Sequence, residues 1–238
     1  MCAIKRVDLS EVSEPEAEAF RNEVKLLQKL QGNKRIIKLF DFEERVKPNK
    51  DGKELLVVME QGERDLANLL KDMSKDQELT DTKIKFYWEE MLETVAVVHQ
   101  QNIVHSDLKP ANFLIVNGTL KIIDFGIASK VGDDKTHVTK DNMMGTFNYM
   151  SPEAIQSGEN VKIGVKSDVW SLGCILYQMV YKKLPFGHIK ELWKKMSVSQ
   201  FFRFSVFIML PIYYFALHFR PSLDMTIKIF LFQMIPLL

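Results

Sequence analysis

Residues 103–126 read Ile-Val-His-Ser-Asp-Leu-Lys-Pro-Ala-Asn-Phe-Leu-Ile-Val-Asn-Gly-Thr-Leu-Lys-Ile-Ile-Asp-Phe-Gly. Three polar residues, Asp107, Asn112 and Asp124, stand out against an apolar background. Asn117-Gly118 separates two strand-like runs, and this dipeptide is a strong hairpin signal because both central residues of a type I′ turn need φ > 0. The hairpin brings Asn112 and Asp124 to the same open end. An Asn and an Asp so placed beside a second Asp make an oxygen-rich pocket suited to Mg²⁺. Asp107 is then left to act as a base.

The ordered string His105-Ser-Asp-Leu-Lys-Pro-Ala-Asn112, followed by Asp124-Phe-Gly126, resembles the catalytic loop and metal-binding motif of the eukaryotic protein kinases. Ser106, where most members carry Arg, is similar to the monopolar-spindle family of dual-specificity kinases. The resemblance implies a two-lobed α+β fold that transfers the γ-phosphoryl group of ATP, with Mg²⁺, to protein hydroxyls. It implies further that Asp107 accepts or orients the substrate hydroxyl, that Lys109 offsets charge on the transferred group, and that Asn112 and Asp124 hold Mg²⁺. A Lys at position 109 is typical of serine/threonine specificity. For His105 the expectation is a structural bond to the backbone near Asp124.

Outward from this stretch, Ala3-Ile4-Lys5 resembles the strand whose Lys pairs with the ATP phosphates. Ser13-Glu-Pro-Glu16 reads as a capping box opening a helix to about Leu30, ended by Gly32. Glu23 on that helix is expected to pair with Lys5. Arg35–Phe42 and Glu54–Met59 read as strands joined by the turn residues 48–52. On the family's register Met59 is the gatekeeper, and Glu60, Gln61 and Gly62 offer backbone groups to the adenine. Asp65 is read both as a ribose ligand and as a helix N-cap, and the two are compatible. Ile84, Trp88, Leu92, Val95 and Val98 recur at helical spacing within Thr80–Gln101 and mark a core face.

After the hairpin, 127–150 is polar and carries Thr136 and Thr146, which fall where the family places autophosphorylated threonines. With Ser at 106, any phosphate there must be read by other basic residues, because a Ser cannot make the charged pair. Ser151-Pro-Glu153 resembles a motif whose Glu pairs with a late arginine. Ser167-Asp168-Val-Trp-Ser-Leu-Gly173 resembles the start of the central helix, whose Asp braces the catalytic loop.

The chain has 238 residues, and its net charge of +1 implies no bulk attraction to nucleic acid or to an anionic membrane. Cys2 and Cys174 give neither metal spacing nor a disulfide framework, which suits a reducing compartment. The expected organisation is a partial upper lobe over 1–62, a partial lower lobe over 63–197, and a hydrophobic non-kinase tail over 198–238. From Phe201 on, the only charges are Arg203, Arg220, Asp224 and Lys228, and eight of the sixteen phenylalanines fall there. By length Phe201–Phe219 suffices to span a bilayer. Two readings stay open, a membrane anchor and a non-native tail, and the second is preferred because the resemblance stops within a lobe.

The family's glycine-rich loop and first two strands are expected ahead of Lys5, so the chain reads as truncated at both ends. Such a chain is expected to bind ATP weakly and to phosphorylate poorly. A non-catalytic kinase-like binding module is therefore the alternative function. Membership of the monopolar-spindle group implies mitotic spindle checkpoint signalling, at kinetochores, in cytoplasm or nucleus.

Overall fold

The computed structural model describes residues 1–48, 52–73, 79–125, 129–130, 147–155, 164–185, 187 and 189. Thr136, Thr146, Gly126 and the tail 198–238 lie outside the described residues.

An upper unit is built on three antiparallel strands in the order β1-β3-β2: β1 (Cys2–Asp8), β2 (Leu39–Val46) and β3 (Lys53–Glu60). Helix α1 (Glu14–Lys29) packs on this sheet through Ala17 and Val24, against Leu9, Leu55 and Val57. Its start follows the expected local chemistry. Glu16 reaches back to accept the Ser13 N–H at 2.8 Å, so a backbone donor left unpaired at the helix start is satisfied. Past the end of α1, Gly32 adopts φ +91°, a backbone that favours glycine. Lys47 donates its N–H to the Gly52 carbonyl at 3.1 Å, which closes the connection from β2 to β3.

The expected strand Arg35–Phe42 is shifted. Pairing with β3 begins at Leu39 and runs to Val46. Arg35 and Ile37 place their backbone bonds elsewhere: Ile122 donates to the Arg35 carbonyl at 3.0 Å, and Ile37 donates to the Ile122 carbonyl at 3.1 Å. An apolar run cannot announce which of two sheets will accept its hydrogen bonds, and here the competing edge lies far along the chain.

The lower unit begins with the short strand β4 (Arg64–Asp65) and α2 (Leu66–Met73). The long helix α3 (Asp81–Gln100) follows, then β5 (Ile103–Val104), β6 (Phe113–Val116) and β7 (Thr119–Ile122). After these come β8 (Ser129–Lys130), the single turn α4 (Pro152–Ile155) and α5 (Val165–Tyr181). Thr80 caps α3 by accepting the Lys83 N–H at 3.4 Å. The expected stripe Ile84, Trp88, Leu92, Val95, Val98 is buried throughout. On α5 every residue from Ser167 to Tyr177 is buried, as a helix enclosed on all sides must be. Trp88, Leu92 and Val95 share one core with Leu172, Ile175, Leu176 and Met179, and with the inner side chains of the hairpin. Among the described residues no helix is long and apolar enough to cross a membrane.

Candidate active site

The hairpin forms as its turn residues dictate. Asn117 has φ +50° and Gly118 φ +75°, and the ladder runs from Val116↔Thr119 to Phe113↔Ile122. Just beyond the last rung, Ile123 donates to the Asn112 carbonyl at 3.1 Å. Asn112 and the 123–124 segment therefore meet at one open end. Pro110–Asn112 is a single 3₁₀ turn in which the Asn112 N–H bonds the Lys109 carbonyl at 3.0 Å. The Asn112 side-chain amide donates to the Asp107 carbonyl at 2.8 Å. That bond engages its nitrogen and leaves the side-chain oxygen as the atom suited to a cation.

Lys109 Nζ lies 2.6 Å from Asp107 Oδ2. The other oxygen, Oδ1, is buried and has no protein partner. A buried carboxylate oxygen without a donor is costly, so it marks a place where a hydroxyl donor from outside is favourable. His105 departs from expectation. Its Nδ1 accepts the Asp107 N–H at 3.3 Å, rather than bonding the backbone near Asp124, and its ring tilts against Phe125 at 5.5 Å. An N–H two residues on is within reach of a ring held against Phe125, and this local contact prevails.

Asp168 braces the loop from below, as the resemblance implies. Fully buried, it accepts the Ser106 N–H at 2.8 Å and the His105 N–H at 2.9 Å, and His99 Nε2 lies 2.7 Å from its Oδ2. These bonds hold Ser106 at φ +66°, a strained conformation for a residue with a Cβ.

On the upper side, Lys5 Nζ contacts both oxygens of Glu23, at 2.8 and 3.0 Å. The pair expected from the sequence is formed. Burial works against the Lys5 charge, but Glu23 and Asp124 outweigh it and hold the ammonium pKa above its ordinary value. Burial pushes the Glu23 carboxyl up, and the Asp124 charge adds to this, against the opposing pull of Lys5 and of a bond from the Phe125 backbone. Lys5, Glu23 and Asp124 thus share one electrostatic site. Behind it a small cavity is lined by Phe20, Leu27, Val57, Met59 and Ile123 together with the pair.

Met59 faces Ala3 across β1 and Leu39 across β2, and touches both apolar cores. Glu60 donates its N–H to the Lys38 carbonyl at 2.9 Å, so that donor is not open to a purine base. Its carboxylate holds the Lys38 N–H at 2.7 Å and Lys121 Nζ at 2.5 Å, which ties β3 to β7. Gln61 follows with an exposed side chain. A Cβ on Gly62 would sit 2.3 Å from Leu114 Cγ and 2.8 Å from the Ile115 carbonyl oxygen. Gly62 is therefore what lets the connection run so close to the hairpin. Asp65 caps α2, with Oδ1 2.8 Å from the Asn68 N–H and Oδ2 2.6 Å from the Asn68 amide.

After the hairpin, β8 pairs with β5 (Val104↔Ser129), which returns the chain beneath the catalytic loop. Tyr149 is anchored on α5 twice: its hydroxyl meets Gln178 Oε1 at 2.7 Å, and its carbonyl accepts the Ser171 hydroxyl at 2.8 Å. For Glu153 the described partner is the Ser167 hydroxyl at 2.9 Å. The late arginine that the resemblance pairs with it has no counterpart among the described residues.

Sequence reasoning missed Gln31, Arg35, Glu90 and Glu93. The Gln31 side chain bonds the Leu27 and Ile37 carbonyls and the Leu39 N–H. Arg35 pairs with Glu90 and Glu93 of α3. A signal was available: Arg35 directly precedes the apolar Ile36-Ile37, and Glu90 lies within the core stripe between Trp88 and Val95.

The chain belongs to the protein kinase domain family, whose model matches residues 1–237. It is 53% identical over 197 residues to the serine/threonine-protein kinase mph1 of Schizosaccharomyces pombe, which covers 79% of this chain and 28% of that protein. It is 48% identical over 196 residues to the dual specificity protein kinase TTK of Mus musculus (79% of this chain, 22% of that protein). To the serine/threonine-protein kinase MPS1 of Saccharomyces cerevisiae it is 43% identical over 197 residues (78% and 25%). The chain thus spans about a quarter of the length of these relatives.

Proposed function

We propose that the chain is the catalytic portion of a serine/threonine kinase of dual-specificity type, transferring the γ-phosphoryl group of Mg·ATP to protein hydroxyls. The observation that carries this reading is the buried, unpartnered Asp107 Oδ1 beside the Lys109–Asp107 contact. The site suits both cofactors. Asn112 and Asp124 offer hard oxygen ligands at one open end, and Mg²⁺ needs only one or two from the protein when phosphates supply the rest. Bound Mg·ATP supplies the activated phosphoryl group and the divalent charge that offsets its oxygens.

The chain's own residues do the remaining work. Lys5, held by Glu23, presents a fixed cation to the α- and β-phosphates. Asp107 Oδ1 orients the attacking hydroxyl and takes its proton. Lys109, tethered on Oδ2, sits where it offsets charge on the group in flight. Met59, Glu60, Gln61 and Gly62 border the adenine, with contacts from the backbone, and Asp65 meets the ribose while capping α2. The upper lobe is residues 1–62 and the lower lobe 63–197, and 198–238 reads from its composition as a hydrophobic tail. Thr136 and Thr146 are candidate phosphorylation sites in the 127–150 segment that follows the hairpin. The two relatives named as serine/threonine kinases and the one named as dual specificity support the hydroxyl acceptor. Resemblance to the monopolar-spindle family supports a role in spindle checkpoint signalling, at kinetochores.

The test is phosphoryl transfer from radiolabelled Mg·ATP by the purified chain to Ser, Thr and Tyr peptides. Asp107→Asn is expected to lower kcat by at least about 10²-fold, with Mg·ADP affinity within about threefold of the wild type. Nucleotide binding by the wild type without transfer to any peptide would leave a binding module and sink the catalytic reading.

A further inference from the structure

The edge of β7 that faces away from β6 is closed by groups from two distant parts of the chain. Ile122 bonds the Arg35 carbonyl through its N–H and the Ile37 N–H through its carbonyl. Leu120 donates its N–H to Glu90 Oε2 at 2.8 Å, and its carbonyl accepts the Thr94 hydroxyl at 3.2 Å. That same Glu90 oxygen pairs with the guanidinium of Arg35, which also reaches Glu93. Arg35 therefore meets one strand twice, directly through its main chain and through Glu90 by its side chain. Its side chain is only 6% exposed, so the charge is tolerable only because two carboxylates face it.

The place of this cluster is informative. Arg35 lies just after α1, the helix that carries Glu23, and β7 ends two residues before Asp124. Gln31 links the last turn of α1 to Ile37 and Leu39, so a displacement at Arg35 is passed to the helix.

We propose that Arg35 is a positioning residue: by holding the end of α1 to the end of β7 through Glu90, it fixes Glu23 and Asp124 relative to each other. The role in catalysis rests on the phosphoryl-transfer reading above; the coupling itself does not.

The test is amide hydrogen exchange on the full 238-residue chain, in the wild type, Arg35→Met, Arg35→Lys and Glu90→Gln. Met keeps a long apolar stem and removes the charge. In Arg35→Met, Leu120, Ile122 and residues 24–27 of α1 are expected to exchange about tenfold faster, with 172–176 of α5 unchanged. Arg35→Lys restores part of the protection, because an ammonium can still face one carboxylate. Glu90→Gln keeps an acceptor for Leu120 and loses the ion pair, so α1 is affected and Leu120 is spared. In the transfer assay Arg35→Met raises KM for Mg·ATP about tenfold, and Arg35→Lys lies between it and the wild type. Acceleration that includes α5 equally, or that is confined to 33–37, overturns the proposal. So does a fall in kcat at unchanged KM, which reports only a smaller folded fraction. If the wild type transfers no phosphoryl group, the kinase reading fails, and the exchange pattern still decides the role of Arg35.

Discussion

Replacing Asp168 by Ala removes the acceptor for two buried backbone N–H groups and the partner of His99. Each orphaned N–H costs about 1–3 kcal/mol, so an unrelaxed loop would lose about 2–6 kcal/mol. The loop has a way to relax. Ser106 is held at φ +66°, which stores about 1–3 kcal/mol, and releasing it lets the 105–106 segment turn toward water. The expected loss in Asp168→Ala is therefore about 2–4 kcal/mol, a large share of the 5–15 kcal/mol typical of a domain. Ser106→Gly removes the strain and, in the wild-type background, is expected to stabilise by up to about 1 kcal/mol. With Asp168 absent, the loop has already relaxed and the same substitution adds little, so the two are non-additive. Urea unfolding of both single variants and the double variant, followed by two spectroscopic probes, measures this cycle. A loss below about 1 kcal/mol for Asp168→Ala, or strict additivity with Ser106→Gly, would refute the reasoning.

Other perturbations bear on separate parts of the site. In Lys5→Met, Glu23 is expected to titrate still higher than in the wild type, since burial and the Asp124 charge are no longer opposed; side-chain carboxyl NMR reads the midpoint. A raised folded-state pKa means that the relative stability is fully present below the unfolded pKa of about 4.3 and is lost as pH rises through the folded value. The Lys5→Met deficit should accordingly widen with rising pH, in urea unfolding across that window. Gly62→Ala drives a Cβ against Leu114 and the Ile115 carbonyl and is expected to destabilise by about 1–3 kcal/mol, seen in thermal unfolding together with weaker nucleotide binding. Gly118→Ala meets nothing within 4 Å but keeps φ +75°, so its cost is conformational only, about 1 kcal/mol by the same measurement. Tyr149→Phe removes the bond to Gln178 and is expected to cost about 1 kcal/mol.

The parts of this fold that were legible in the sequence are those with local causes. Asn117-Gly118 sets its own turn, Ser13 and Glu16 set a helix start, and Ile84 to Val98 betray their buried face by spacing alone. Lys5 and Glu23 lie 18 residues apart, and neither residue type carries information about the other. Their pairing was readable only through a family resemblance, and so was Asp168 beneath the catalytic loop. What stayed hidden is tertiary in origin. Arg35 to Ile37 look like strand and pair with a strand, but with β7 rather than β3. The partners Glu90 and Glu93 are 55 and 58 residues from Arg35, and glutamates on a helix are usually surface charge. His105 was placed one contact away from its actual partner, because a ring with two nitrogens can satisfy either side of a loop and only packing against Phe125 decides.

The side chain of Gln31 makes the last turn of α1 a fulcrum. Glu23 lies about 12 Å up the helix from it, at about 1.5 Å of rise per residue. A tilt of only about 10° about that fixed end sweeps the carboxylate through about 2 Å. Such a swing would open the 2.8 Å contact with Lys5, so the ion pair depends on the base of α1 being held together with the packing of Ala17 and Val24 on the sheet.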